Sequence, residues 1–181
     1  TRENIIDAFD MLTRKVGKSD NVLIFYAGHG YWNSETELGY WLPVDSKASS
    51  TSNWLANSTI RDYIGAIKSR HTLLIADACF SGGIFKTRKA FSDAPEGINK
   101  LYELPSRKAM TSGTLTEVPD QSVFLHTLVQ RLEDNTQKYI STEEMFASIK
   151  PAVLNNTETV PQFGDINGAG DEGGDFVFVL K

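Results

Sequence analysis

The chain has 181 residues, of which 40% are hydrophobic and 23% charged, as expected for one globular domain with a single core. Its 18 basic and 23 acidic residues give a net charge of −5, which argues against nucleic acid as a partner. No apolar run approaches the ~20 residues that span a bilayer, so no membrane partner is expected. A single cysteine cannot form an internal disulfide, which is consistent with a cytoplasmic location.

The first predicted element is a helix, with Thr1 as its N-cap and apolar residues at helical spacing from Ile5 to Val16. A parallel α/β domain normally has a strand before such a helix. We therefore expect the first strand of the sheet to be missing from this fragment, which would form one domain over residues 1–181. A fused or separate regulatory domain would lie outside it.

Two apolar runs are predicted to be buried strands, and each leads into a glycine-rich turn. Asn21–Ala27 precedes Gly28, His29 and Gly30, whereas Thr72–Ala76 precedes the sequence DACFSGG at residues 77–83. The next predicted elements are a hairpin over Tyr31–Leu42, a helix capped by Ser58 and an exposed segment over Ile84–Glu103. They are followed by a strand over Lys108–Ser112, a helix over Ser122–Leu132, a helix that is capped by Ser141 and kinked or split at Pro151, and a strand over Asp175–Leu180. This alternation predicts an α/β fold in which helices cover both faces of a mostly parallel sheet.

His29 and Cys79 are expected to lie close together, because the carboxyl ends of neighbouring parallel strands meet at one edge of the sheet. An imidazole beside a thiol is what nucleophilic thiol catalysis requires. Glycines flank His29, and small residues surround Cys79, so both side chains would be accessible to a substrate. The pattern predicts a cysteine peptidase, although a lone cysteine is often a small core residue and a strand-end histidine often satisfies local hydrogen bonds.

The other two histidines are weaker candidates for catalysis. His71 opens the strand that leads to Cys79 and is therefore predicted at the opposite end of that strand. His126 is predicted on the solvent side of its helix, opposite Phe124 and Leu128.

Several motifs together resemble those of one peptidase family. They are YAGHG at residues 26–30, GYWLPVD at 39–45, DACFSG at 77–82, AMTSG at 109–113 and SVF at 122–124. The chain resembles the caspase-like cysteine peptidases, in which a histidine precedes the cysteine by about 50 residues. It is more similar to the prokaryotic homologues related to metacaspases and paracaspases than to the caspases themselves. The resemblance implies a caspase-like three-layer α/β sandwich with a central, mainly parallel sheet.

Asp77 should share a face with Cys79, since side chains two residues apart on a strand point the same way. Its carboxylate could hydrogen-bond a local turn, or it could form the floor of an S1 pocket that pairs with a substrate cation. The resemblance favours the second role, because metacaspase-like relatives with this aspartate cleave after Arg or Lys. The other expected substrate-binding residues are Ala27 and Ser112 and, as weaker candidates that are more often merely solvated, Glu117 and Asp120.

Three sequence patterns resemble those of other functional sites, but each lacks a feature that the site requires. The GxGxxG run at residues 168–173 precedes a strand, whereas a dinucleotide site opens a helix. An EF-hand-like start at Asp165 lacks the bidentate glutamate that ends such a loop. In α/β-hydrolases the nucleophile precedes the histidine, which is the reverse of the order here.

The acidic insertions of calcium-dependent metacaspases are missing as well, so we expect neither a metal nor an organic cofactor.

The sequence therefore predicts an endopeptidase that cleaves polypeptides after Arg or Lys. Cys79 would form a thioester acyl-enzyme, His29 would transfer the protons, and the N–H groups of Gly30 and Cys79 would stabilise the oxyanion. One alternative is a catalytically silent caspase-fold module for binding or assembly, which the intact Cys–His pair disfavours. Another is a hydrolase of small esters, which the residue order and Asp77 disfavour.

Overall fold

The computed structural model describes residues 1–78, 84, 101–113 and 122–180. The helices in these ranges are α1 (Arg2–Lys15), α2 (Asn57–Ala66), α3 (Val123–Glu133) and α4 (Thr142–Asn156). The strands are β1 (Asn21–Ala27), β2 (His29–Asn33), β3 (Leu38–Leu42), β4 (Leu55–Ala56), β5 (His71–Asp77), β6 (Ser106–Thr111), β7 (Tyr139–Ser141), β8 (Gln162–Asp165) and β9 (Val177–Val179). A single 3-10 turn, Thr51–Asn53, precedes β4, and residues 101–103 are helical.

The central sheet has the strand order β1-β5-β6-β8. Strands β1, β5 and β6 are parallel, and β8 is antiparallel to β6. Every residue of β5 is buried, as expected for a central parallel strand with the apolar run Leu73–Ala76 at its middle. Strand β1 forms one edge, where Leu23 and Phe25 are 45% and 48% exposed. The mostly parallel sheet predicted from the sequence is confirmed.

Helices cover both faces of this sheet. Because successive side chains of a strand point to opposite faces, β5 contributes to two separate cores. The core on the side of α1 and α2 includes Phe9, Ile60, Ile64, Leu74 and Ala76. The core on the side of α3 and α4 includes Leu73, Ile75, Phe124, Leu128, Met145 and Ile149. This is the three-layer α/β sandwich that the sequence predicts.

A second sheet, in the order β2-β3-β4, follows β1 directly along the chain. Strands β2 and β3 form the predicted hairpin, in which His29 pairs with Leu42 and Gly30 with Trp41. Trp41 is buried in the core on the side of α1 and α2, so the hairpin is anchored to the body of the domain. A third, two-stranded sheet pairs β7 with β9.

The structure confirms two of the predicted helix caps and corrects the third. The hydroxyls of Thr1 and Ser141 accept hydrogen bonds from the first turns of α1 and α4. Ser58 does not cap α2, because β4 runs directly into the helix and leaves the extended Ala56 at the cap position. Helix α4 continues through Pro151 without being split.

The structure differs from the sequence-based expectations at two strands and at Ile84. The sequence does not predict β8, and the strand predicted at Asp175–Leu180 is the shorter β9, which pairs with β7 outside the central sheet. Ile84 is 2% exposed, although the sequence places it in an exposed segment; most of that segment lies outside the described residues. Among the helices of the described ranges, none is long and apolar enough to cross a membrane.

Candidate active site

His29 lies where the chain passes from the central sheet to the hairpin. Strand β1 ends at Ala27 and β2 begins at His29, so Gly28 alone forms the turn. The Gly28 N–H donates to the carbonyl oxygen of Asp77 across 3.3 Å. The His29 side chain is exposed at the carboxyl edge of the sheet, and within the described ranges no side chain or backbone group hydrogen-bonds its imidazole.

Glycine at position 28 is required by packing. A Cβ atom there would lie 2.9 Å from the hydroxyl oxygen of Tyr26 and 3.0 Å from its Cζ atom. Real Cβ atoms essentially never approach so closely, so any side chain at this position would displace either the Tyr26 ring or the turn. The glycine before His29 therefore makes room for a tyrosine ring inside the turn.

Asp77 is the last residue of β5 and pairs with Ala27 of β1. Its side chain is buried, at 6% exposure, and its Oδ1 atom has no hydrogen-bond partner among the residues that the structure describes. The hydrogen bond that Asp77 makes to the Gly28 turn uses its backbone carbonyl and leaves the carboxylate unused. A buried acceptor without a partner is unfavourable by about 1–3 kcal/mol, and a ligand that donates to it removes this penalty.

Ser112 occupies the equivalent position at the end of the next strand. The register pairs Ala76 with Thr111, and the Ser112 N–H donates to the Ala76 carbonyl across 3.1 Å. Asp77 and Ser112 are the next residues on their strands, which lie ~4.8 Å apart, so alternation directs both side chains to the same face. Ser112 is 2% exposed, and its hydroxyl also lacks a partner in the described part of the chain. Two buried polar atoms that lack partners among the described residues thus lie on the same face of neighbouring strand ends.

Ala27 and Gly30 complete the part of the candidate site that the structure describes. Ala27 is exposed at the end of β1, opposite Asp77. Gly30 lies inside β2, opposite Trp41. The glycine-rich turn that the sequence predicts around His29 is therefore limited to Gly28, and Gly30 belongs to the edge strand of the hairpin sheet.

The other two histidines lie where the sequence predicts. His71 is fully buried at the amino end of β5, with Nδ1 2.8 Å from Ser106 Oγ and Nε2 3.1 Å from the Tyr102 carbonyl oxygen. Burial lowers the pKa of His71. His126 is exposed on α3. His71 thus has a structural role in the core, and His126 faces solvent away from the candidate site.

The predicted site residues fall into two groups. The structure brings together His29, Gly30, Ala27, Asp77 and Ser112 at the carboxyl edge of β1, β5 and β6. Cys79, Glu117 and Asp120 lie outside the described residues. Within the described ranges, no group of three or more His, Cys, Asp or Glu side chains is arranged to hold a metal ion.

Sequence reasoning missed Tyr26. Its hydroxyl donates to the His29 carbonyl oxygen across 2.8 Å, and its ring stacks on Trp41 with the ring centroids 3.9 Å apart. Burial raises the pKa of Tyr26 to about 12. The available signal was an aromatic hydroxyl three positions before His29, with a glycine between them.

Comparison with known proteins agrees with this fold. The family model for the caspase domain matches residues 1–166. No curated protein sequence is significantly similar to the chain. Among solved structures, the chain is similar to the crystal structure of protein GSU0716 from Geobacter sulfurreducens, with a TM-score of 0.58 and 16% identity over 100% of this chain and 80% of that one. At that identity the likeness concerns the fold. Because the family match extends over most of the sequence, the chain belongs to the caspase family of cysteine peptidases.

Proposed function

We propose that the protein is a cysteine endopeptidase that cleaves peptide bonds after Arg or Lys. The observation that carries this specificity is the buried Asp77 carboxylate, whose Oδ1 has no partner in the described part of the chain and which precedes Cys79 by two residues. Guanidinium and ammonium groups make strong, charge-assisted hydrogen bonds to such an oxygen. An acidic substrate side chain would be repelled from the same position.

Ser112 supports the same assignment. Its unpartnered hydroxyl is the second buried acceptor on the face that Asp77 occupies. An Arg guanidinium carries five N–H donors in a planar fork and can serve two acceptors on neighbouring strands. Ala27 would leave room beside Asp77 for the stem of the substrate side chain. We propose that the negative charges of Glu117 and Asp120 assist Asp77 in attracting the substrate cation.

The proposed reaction uses Cys79 and His29 as a catalytic pair. The Cys79 thiolate attacks the scissile carbonyl carbon, and the C–N bond breaks as His29 protonates the leaving amine. The product is a thioester between Cys79 and the carboxyl part of the substrate. His29 then takes a proton from water, which attacks the thioester, releases the acid and restores the thiolate.

Gly30 is positioned to contribute to the oxyanion site. Strand β2 is an edge of the hairpin sheet, so alternate N–H groups along it point away from β3. We assign the Gly30 N–H to this outward set. Together with the Cys79 N–H it would stabilise the tetrahedral intermediate, an effect worth about 100- to 1,000-fold in rate.

The specificity is tested with reporter peptides that differ only in the residue before the scissile bond, namely Arg, Lys, Gln or Asp. We expect Asp77→Asn to lower kcat/KM for the Arg and Lys peptides by about 10- to 150-fold and to leave the Gln peptide nearly unchanged. Asp175→Asn is the matched control, because Asp175 is also a buried carboxylate but lies at the N-terminus of α4. A wild-type preference for the Asp peptide would show that the pocket assignment is wrong.

The nucleophile is tested separately from the specificity. An Arg-chloromethylketone should alkylate Cys79, and mass spectrometry of the tryptic peptides identifies the labelled residue. Labelling at Cys79 that an excess of Arg reporter peptide suppresses supports the peptidase. An unlabelled Cys79 in a folded protein would instead favour the catalytically silent binding module.

A further inference from the structure

Tyr26 is held in one orientation by the body of the domain. It lies on β1, and its ring stacks on Trp41 of β3 with an interplanar angle of 15°. Trp41 is itself only 2% exposed and belongs to the core on the side of α1 and α2. A ring packed against a buried, rigid partner cannot change rotamer without disturbing that core.

The Tyr26 hydroxyl is bonded to the first residue of the hairpin. It donates to the His29 carbonyl oxygen across 2.8 Å. His29 is the first residue of β2 and the register partner of Leu42, the last residue of β3. The phenol thus ties β1 to the point at which the hairpin begins.

Among the residues that the structure describes, the Tyr26 phenol is the side-chain anchor on the inside of this turn. Gly28 lacks a side chain where a Cβ would meet the Tyr26 oxygen, and its N–H is bonded on the other side to Asp77. The turn is therefore held on one side by β5 and on the other by the phenol. Burial raises the pKa of Tyr26 to about 12, so the hydroxyl keeps its proton and remains a donor near neutral pH.

We propose that Tyr26 is a positioning residue, whose hydroxyl fixes the His29 backbone so that the imidazole is held over the edge at which β5 leads to Cys79. This inference rests on the proposed catalytic role of His29. Tyr26 has no part in binding the substrate cation, because its side chain lies on the α1 and α2 face whereas Asp77 lies on the other. Loss of the hydroxyl should therefore lower kcat and leave KM nearly unchanged.

Tyr26→Phe tests this role because it removes one oxygen and keeps the stacked ring. With an Arg reporter peptide we expect kcat to fall about ten- to hundredfold, as for a small misplacement of a catalytic group, while KM stays within about twofold. Tyr63→Phe is the matched control: Tyr63 also stacks on an aromatic ring, Phe9, and its hydroxyl interacts with Asp10 between α1 and α2. That variant should keep the wild-type kcat.

A second readout does not depend on peptidase activity. In the Cys79→Ala background, NMR of the whole chain should show that Tyr26→Phe shifts or broadens the His29 amide and imidazole signals. The His126 signals should stay in place. If the wild type cleaves no reporter, the proposed function fails, and the NMR comparison alone decides the role of Tyr26.

Three results would overturn the positioning role. They are an unchanged kcat in folded Tyr26→Phe, a rise in KM with kcat preserved, and His29 signals that do not move. In the first of these cases, a loss of thermal stability equal to that of Tyr63→Phe would identify Tyr26 as a packing residue.

Discussion

The backbone N–H of Gly28 donates a hydrogen bond to the carbonyl oxygen of Asp77 across 3.3 Å. This contact connects the turn before His29 to the end of β5, two residues before Cys79 in the sequence. The turn that carries the histidine and the backbone of Asp77, whose carboxylate we assign to the substrate cation, are therefore parts of one hydrogen-bonded unit. A displacement of either should affect both.

Gly28→Ala should disturb this unit from within. The new Cβ would meet the Tyr26 oxygen at 2.9 Å, and the stacked Tyr26 ring cannot move away freely. We expect the turn to shift, with a loss of about 1–3 kcal/mol in the free energy of unfolding and an activity roughly 100-fold lower. Urea unfolding and the Arg reporter assay measure the two effects.

Gly65→Ala is the control for that substitution. A Cβ on Gly65 would lie 3.4 Å from the nearest atom, an ordinary contact, and the residue is inside α2, where alanine is preferred to glycine. This variant should be as stable as the wild type or more so, with full activity. If Gly28→Ala behaves in the same way, the turn is not constrained by Tyr26.

His29→Ala should abolish most of the peptidase activity, because it removes the group that we propose protonates the leaving amine. General acid–base catalysis contributes about 100- to 10,000-fold, so kcat should fall by a factor in that range. His126→Ala removes an exposed histidine from α3 and should leave kcat unchanged. Equal activities of the two variants would remove His29 from the mechanism.

Much of this edge could be predicted from the sequence because it depends on local patterns. The apolar runs ending at Ala27 and Asp77 identify two buried parallel strands, and parallel strands bring their carboxyl ends together. Alternation along a strand then gives the face that Asp77 occupies. These steps need only the residue types and their spacing.

The rest of the site depends on tertiary contacts. The role of Tyr26 requires Trp41 on another strand to fix its ring, and nothing in the sequence around Tyr26 specifies that partner. Strand β8 is a four-residue QFGD segment with a glycine and no buried residue, and only its pairing with β6 makes it a strand. That Asp77 Oδ1 has no partner among the described residues is likewise a property of the folded chain.

Activity should survive chelation of calcium. The sequence lacks the acidic insertions of calcium-dependent metacaspases, and Ca²⁺ needs about six to eight oxygen ligands. We expect the rate with the Arg reporter to be equal in EGTA and in added calcium. A large loss in EGTA that calcium restores would reveal a site that this sequence pattern does not disclose.

Asp175 should make stability depend on pH in the mildly acidic range. Burial raises the pKa of Asp175 from 3.8 to about 6, and the Glu143 N–H and the charge of Lys108 only partly oppose this. The folded protein therefore binds the proton more tightly than the unfolded chain, and stability falls as pH rises from about 4 to about 6, by roughly 3 kcal/mol at most. In Asp175→Asn this loss should be absent, so the stability of the variant relative to the wild type should increase as the pH rises through that range. A pH-independent difference between the two in urea unfolding would contradict the assignment.

His71 should give the stability of the fold a pH dependence opposite to that of Asp175. Its Nε2 faces the Tyr102 carbonyl, which only accepts, so Nε2 carries the proton and Nδ1 accepts from Ser106. Burial lowers the pKa of His71 in the folded protein. The unfolded chain, with a histidine pKa near ~6.5, is therefore protonated first, and the stability that neutral His71 contributes is complete above that pH and lost as pH falls below it.

His71→Gln separates this effect from that of Asp175. The glutamine does not titrate, so the variant should lose less stability than the wild type when the pH falls below ~6.5, where one proton changes the free energy of unfolding by at most about 1.4 kcal/mol per pH unit. Urea unfolding of both proteins across that range measures the two slopes. Parallel slopes would show that His71 is protonated equally in the folded and unfolded chains, and that the acid sensitivity of the fold has another origin.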